Sequence, residues 1–102
     1  MKYARNVQFK IKPGKADEFN RIFVADVLPL LKKQHGFNEE LTLVNADRGL
    51  GISVWNDRPS ADAYTTHIYP QVLAKLAGML DGTPVVETYD VTTSTTSTAV
   101  TA

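Results

Sequence analysis

Apolar and polar residues alternate along four stretches of the chain, and between these the apolar residues recur at helical spacing. Val7, Phe9 and Ile11 alternate with Asn6, Gln8 and Lys10, which predicts a strand from Tyr3 to Ile11. Pro13-Gly14 punctuates it. From Lys15 to about Gln34, Phe19, Ile22, Phe23, Val27, Leu30 and Leu31 form one helical stripe. Pro29 lies too deep in that helix to be a start residue, so a kink is expected near Asp26–Leu28. Gly36 is placed to cap the helix, behind Lys32, Lys33 and His35. Phe37 to Ala46 reads as a second strand, and the turn formers Asn45 to Gly49 lead into a third.

The chain is organised around Gly49–Pro70. Leu50, Ile52 and Val54 alternate there with Gly51, Ser53 and Trp55. Asn56, Asp57, Pro59 and Ser60 then open a helix that breaks at Tyr69-Pro70, where the proline suits the first turn of a new helix. Val72, Leu73, Leu76, Met79 and Leu80 mark that second segment, Gly82 ends it, and Val85 to Val91 forms a fourth strand.

Strand, helix, strand, strand, helix pair and strand make an α+β, ferredoxin-like β-α-β-β-α-β domain over residues 1–91. Its four-stranded antiparallel sheet is covered by helices on one face. The other face, expected to include Ala4, Asn6, Gln8, Gly51, Ser53, Trp55, Val86 and Thr88, is too apolar in places to stay wet, which points to a sheet-to-sheet homodimer. Residues 92–102 form a Thr/Ser-rich tail. Its β-branched content suggests an extension of the fourth strand or a contact with the partner chain.

Composition narrows the partners more than the chemistry. The chain has 102 residues, with 11 basic and 11 acidic groups, so no global field favours nucleic acid or an anionic membrane. It has no cysteine, which removes disulfides, thiolate metal sites and a cysteine nucleophile and fits a cytoplasmic protein. The opening MKYARNVQFK lacks the apolar core of a signal peptide, and no stretch is long and apolar enough for a membrane helix. The two histidines, His35 and His67, offer no metal-ligand spacing. Gly49-Leu50-Gly51 is too short for a phosphate loop, and no serine sits in an elbow motif.

With these stretches in hand, residues 1–91 resemble the dimeric α/β-barrel superfamily, and within it the antibiotic-biosynthesis-monooxygenase-like group. The resemblance is carried by the opening strand into Pro13-Gly14, LPLLKKQHGF (Leu28 to Phe37), ISVWND (Ile52 to Asp57), the helix with Tyr64 leading to Tyr69-Pro70, and PVVETYDV (Pro84 to Val91). It implies a cofactor-independent monooxygenase-like enzyme acting on an aromatic or quinone-like small molecule. The alternative is a non-catalytic binding or structural protein of the same dimeric fold. The heme-degrading branch has Asn, Trp and His where Val7, Tyr64 and Ala74 fall here, so neither heme nor another cofactor is expected.

A pocket is expected between helices and sheet, near the two helix breaks, because a broken helix cannot interlock closely with its neighbours. Its expected lining is Phe23, Asp26, Trp55, Tyr64, Tyr69 and Leu73. Trp55 is either a core residue or a stacking wall for a flat ligand. Tyr64 and Tyr69 suit a pocket mouth and a helix edge equally, and Asp26 is either a pocket carboxylate or a solvated group at the kink. His67 is either an exposed helix residue or the base that deprotonates a phenol, creating an electron-rich anion that reacts with oxygen without a cofactor.

Overall fold

The computed structural model describes residues 1–96. Strands β1 (Tyr3–Lys10), β2 (Phe37–Asn45), β3 (Arg48–Trp55) and β4 (Val85–Asp90) form one antiparallel sheet in the order β2-β3-β1-β4. Helices α1 (Ala16–Ile22), α2 (Leu28–Lys32), α3 (Arg58–His67) and α4 (Tyr69–Leu76) supply the cover, and a short 3₁₀ turn (Ala77–Met79) follows α4. The fold is α+β and ferredoxin-like. The tail expectation is only partly in view. β4 ends at Asp90, the Val91 N–H donates to the Lys2 carbonyl, and residues 92–96 add no strand; residues 97–102 lie outside the described part.

Both helix breaks fall near the prolines. Pro29 has no N–H to return to the preceding turn, and the chain widens into one π-helical stretch, Phe23–Val27, immediately before α2. α3 starts on an Asp57 cap, whose side chain accepts from the Ser60 N–H at 2.9 Å, and Pro59 occupies its first turn. It ends at His67, and Pro70 sits in the first turn of α4. Gly36 has φ +81°, and a Cβ there would collide with the Ser60 side chain, so this turn between α2 and β2 requires glycine twice over.

The phase of the sheet corrects one expectation. Gly51, Ser53, Trp55, Val86 and Thr88 belong to the helix-covered side, not the open one. Gly51 and Val86 pair with Val7, Ser53 and Thr88 with Arg5, and Trp55 with Tyr3. Ala4, Asn6 and Gln8 do lie on the open face, opposite Val54, Ile52 and Leu50 of β3 and Tyr89, Glu87 and Val85 of β4. A bulge in β2 completes that face. Phe37 pairs with Trp55 but Glu39 pairs with Val54, so Asn38 is an extra residue. Its side chain donates to the Gly36 carbonyl and to Asn56 Oδ1 at 2.6 Å, which holds the bulge. Past it, Leu41 and Leu43 oppose Ile52 and Leu50 on the open side, while Glu40 and Thr42 turn inward. The leucines of β2 and Leu50, Ile52 and Val54 of β3 thus face out, joined by Tyr89 of β4, with Leu43 and Tyr89 each 50% exposed.

Candidate functional site

The inner face of the sheet carries a row of polar residues under the helices. Arg5 on β1 and Glu40 on β2 both pair in register with Ser53 of β3, one from each side. The neighbouring inner position on β3 is Gly51, and these two small residues leave room that a valine or leucine would fill. A cavity of about 50 Å³ occupies that room. Its floor is Arg5, Val7, Phe9, Glu40, Gly51 and Ser53. Phe19 from α1, Phe23 and Val27 from the π-helical stretch, Tyr64 from α3, and Tyr69, Val72 and Leu73 from α4 stand around and above it.

Arg5 is the dominant group. It is 2% exposed, and its Nε and Nη2 are buried without a hydrogen-bond partner. Its guanidinium carbon lies 5.0 Å from the Tyr64 ring centroid and 4.4 Å from that of Tyr69, so the flat cation rests against two π faces. Burial pushes its pKa down while Tyr64, Tyr69 and Glu40 pull it up, and a guanidinium in such a balance stays charged. Among the described residues the ion pairs are Lys15–Glu18 and Arg58–Asp62, both at the surface, so Arg5 has no close counter-ion.

Glu40 faces the same space. Burial raises its carboxyl to about 7, against the opposing effects of a 2.8 Å hydrogen bond from Thr42 Oγ1 and of Arg5. Near neutral pH this group can both accept and release a proton. Burial also raises the phenol pKa values of Tyr64 and Tyr69, although Arg5 lowers both, so the two rings stay protonated and act as donors. The Tyr69 hydroxyl is buried and finds no partner in hydrogen-bond geometry.

Of the residues expected at the pocket, the structure brings Phe23, Tyr64, Tyr69 and Leu73 to the cavity wall. Trp55 stands behind that wall. It is fully buried, 5.0 Å from Tyr64 and edge-on to Phe37, and its Nε1 donates to Ser53 Oγ at 2.9 Å. Asp26 is exposed on the outer side of the π-helical stretch. His67 is exposed beside a separate shallow surface groove with His35, Asp57 and Ile68, on the far side of Tyr64 from the cavity. The helical periodicity that groups His67 with Tyr64 cannot tell the two sides of the tyrosine apart.

Arg5, Glu40 and Ser53 complete the site. For Arg5 a signal was present, since it shares the strand phase of Val7, Phe9 and Ile11, and a cation in an otherwise apolar inward phase is out of place. For Glu40 there was none, because its inward orientation depends on the Asn38 bulge.

No protein-family profile matches the chain, and neither does any curated protein sequence. Solved structures do. A protein of unknown function from Nitrosomonas europaea superposes with a TM-score of 0.76 at 21% identity, covering 91% of each chain. SnoaB, a cofactor-independent oxygenase from Streptomyces nogalater, gives 0.76 at 16% identity, covering 94% of this chain and 98% of its own. A proposed antibiotic biosynthesis monooxygenase from Caulobacter crescentus CB15 gives 0.74 at 16% identity, with 88% and 89% covered. The chain has the ferredoxin-like α+β fold of these proteins. At such identities the likeness is one of fold.

Proposed function

We propose that the protein is a small cofactor-independent monooxygenase acting on an aromatic or quinol-like molecule bound between the helices and the sheet. The observation that carries this reading is the pairing, across one ring-walled cavity, of a buried unpartnered guanidinium with a carboxyl whose pKa is about 7. Oxygenation without a cofactor needs the substrate to be made electron-rich, and removal of a phenolic proton does this. Glu40 accepts that proton. The negative charge left on the substrate oxygen is stabilised by Arg5 in surroundings where water does not screen it. The anion then transfers electron density from a ring carbon to dioxygen, a carbon–oxygen bond forms, and the peroxide O–O bond breaks. One oxygen stays as the new carbonyl, and the other leaves as water with the ring hydrogen and the phenolic proton. His67 lies outside the cavity, so the proton acceptor is assigned to Glu40.

The fold resemblance to SnoaB supports the reading from a second direction. The cavity as it stands is smaller than ordinary ligand pockets, which run to roughly 300 Å³ and more, so a polycyclic substrate requires its wall to move. Phe23 and Tyr69 stand at the π-helical stretch and at the α3–α4 break, where the helix ladder is already interrupted.

The working form in this reading is a cytoplasmic homodimer joined through the open sheet face. Leu41, Leu43, Leu50, Ile52, Val54, Val85 and Tyr89 gather there on either side of the polar Asn6, Gln8 and Glu87, an apolar surface that a second copy would cover.

The test of the function is oxygen uptake with 1,4-dihydroxynaphthalene, corrected for the uncatalysed rate. Wild type should accelerate uptake, and Glu40→Gln should lower the acceleration by on the order of 10²–10⁴-fold. No acceleration by wild type with any of a panel of quinols and naphthols, or an undiminished rate in Glu40→Gln, would overturn it.

A further inference from the structure

We infer that the cavity is an oxyanion site. Its ligand is a planar aromatic anion that presents two neighbouring oxygens on one edge, held side-on by Arg5 Nε and Nη2. The inference deepens the reading above by naming the form in which the ligand is bound.

Two nitrogens of Arg5, Nε and Nη2, have no hydrogen-bond partner. Nε–H and the outward N–H of Nη2 point the same way along one edge of the guanidinium, the edge that receives two oxygens in parallel. Both atoms are buried and unpartnered. The Tyr64 and Tyr69 rings lie 5.0 and 4.4 Å from the guanidinium carbon and 6.1 Å from each other, so they flank the cation on adjacent sides and neither partners Nε or Nη2. A third buried donor without a partner, the Tyr69 hydroxyl, is on the same cavity wall. The residues that carry these atoms line one space whose other walls are mostly aromatic rings and aliphatic side chains, and the Tyr69 hydroxyl lies close enough to the guanidinium for Arg5 to lower its pKa. Buried donors are nearly always partnered in folded proteins, and the two unpartnered guanidinium nitrogens point to an acceptor that arrives from outside.

Charge selects the kind of acceptor. Water fills hydrogen bonds but does not neutralise a buried cation. Among the described residues Glu40 is the only acidic group lining the cavity, and burial raises its carboxyl to about 7, so near neutral pH it offsets the cation only in part. A neutral ligand would leave the cation largely uncompensated, whereas an anion supplies both the charge and the acceptors. The ring walls then select a flat body behind the oxygens, stacked among Phe19, Phe23 and Tyr64.

The test compares 2-hydroxy-1,4-naphthoquinone, an anion at neutral pH with two adjacent edge oxygens, against neutral 1,4-naphthoquinone. Binding is read by quenching of Trp55, the single tryptophan, which packs on Tyr64 behind the cavity wall. Wild type should bind the anion at least about 10-fold more tightly than the neutral quinone. Arg5→Met should abolish that preference, and Arg5→Lys, which keeps the charge but not the side-on pair of donors, should lose about 10-fold or more of the affinity for the anion. Equal affinity for the two quinones in wild type, no binding of the anion, or an unchanged preference in Arg5→Met or an unchanged affinity in Arg5→Lys would overturn the inference. The readout needs no turnover. A protein that binds the anion but consumes no oxygen retains this site and loses the oxygenase role, and one that oxidises quinols without preferring the anion does the reverse.

Discussion

Arg5 and Glu40 flank Ser53 in one cross-strand row, yet the two opposite charges do not close into an ion pair. Strand spacing sets their Cα atoms roughly 9–10 Å apart, within reach of two long side chains. A pair serving stability alone would close that gap and satisfy its donors. Here the gap is the cavity, and the guanidinium stays unpartnered beside it.

An uncompensated buried cation costs stability, so Arg5→Met should stabilise the free protein while removing anion binding. The expected gain is on the order of 1–3 kcal/mol, by analogy with buried charges replaced by apolar residues of similar volume. Thermal melts at pH 6, where Glu40 carries its proton, and at fixed protein concentration would show it as a higher Tm. A lower Tm would make Arg5 a structural prop.

Glu40 imposes a pH dependence of defined sign. Its carboxyl is raised from an ordinary 4.5 to about 7, so the folded state holds the proton more tightly than the unfolded chain does. The contribution to stability is therefore complete below about pH 4.5 and is lost as pH rises through about 7. At 1.36 kcal/mol per pK the difference is on the order of 3 kcal/mol at most. Wild type should lose stability relative to Glu40→Gln over that window, by urea unfolding at a series of pH values. Parallel curves would place Glu40 in water.

The same group should govern ligand affinity. Arg5 on β1, Tyr64 on α3 and Tyr69 on α4 are the titratable groups acting on this space beside Glu40, and both phenols stay neutral. Ionisation of Glu40 is then the change that repels an anionic ligand. Affinity for 2-hydroxy-1,4-naphthoquinone should fall through about pH 7 in wild type and stay level in Glu40→Gln. A fall of equal size in both would place the titrating group elsewhere.

On the open face, Ile52→Asp should disrupt association. Ile52 lies between Asn6 and Leu41 in the middle of that face, and two-fold symmetry would bring the new carboxylate close to its own copy. Light scattering should give twice the 11.2 kDa chain mass for wild type and the single mass for the variant. A monomeric wild type, or a dimeric variant, would remove this face as the interface.

How much of this was legible in the sequence depended on how local each signal was. Pro29, Asp57, Pro59 and Pro70 act within a turn of their own positions, and the helix breaks they mark are where the pattern puts them. The helix-borne wall of the cavity, Phe23, Tyr64, Tyr69 and Leu73, follows from helical spacing above a sheet. The phase of β3 does not. Alternation defines two faces without saying which is covered, and Leu50, Ile52 and Val54 are the more apolar set although they face away from the helices. Gly51 and Ser53 of the inward set are small, and the cavity lies over them. Glu40 depends on a one-residue bulge at Asn38 that pattern alone does not reveal, and its pKa depends on the burial that follows.

The most direct test of the central claim is a crystal structure of the protein soaked with 2-hydroxy-1,4-naphthoquinone. The account predicts density between the sheet and α4, with two ligand oxygens in hydrogen-bond reach of Arg5 Nε and Nη2 and the ring system against Tyr64 and Phe23. Ligand bound only in the surface groove beside His67, or only on the open sheet face, with the Arg5 cavity closed, would contradict it.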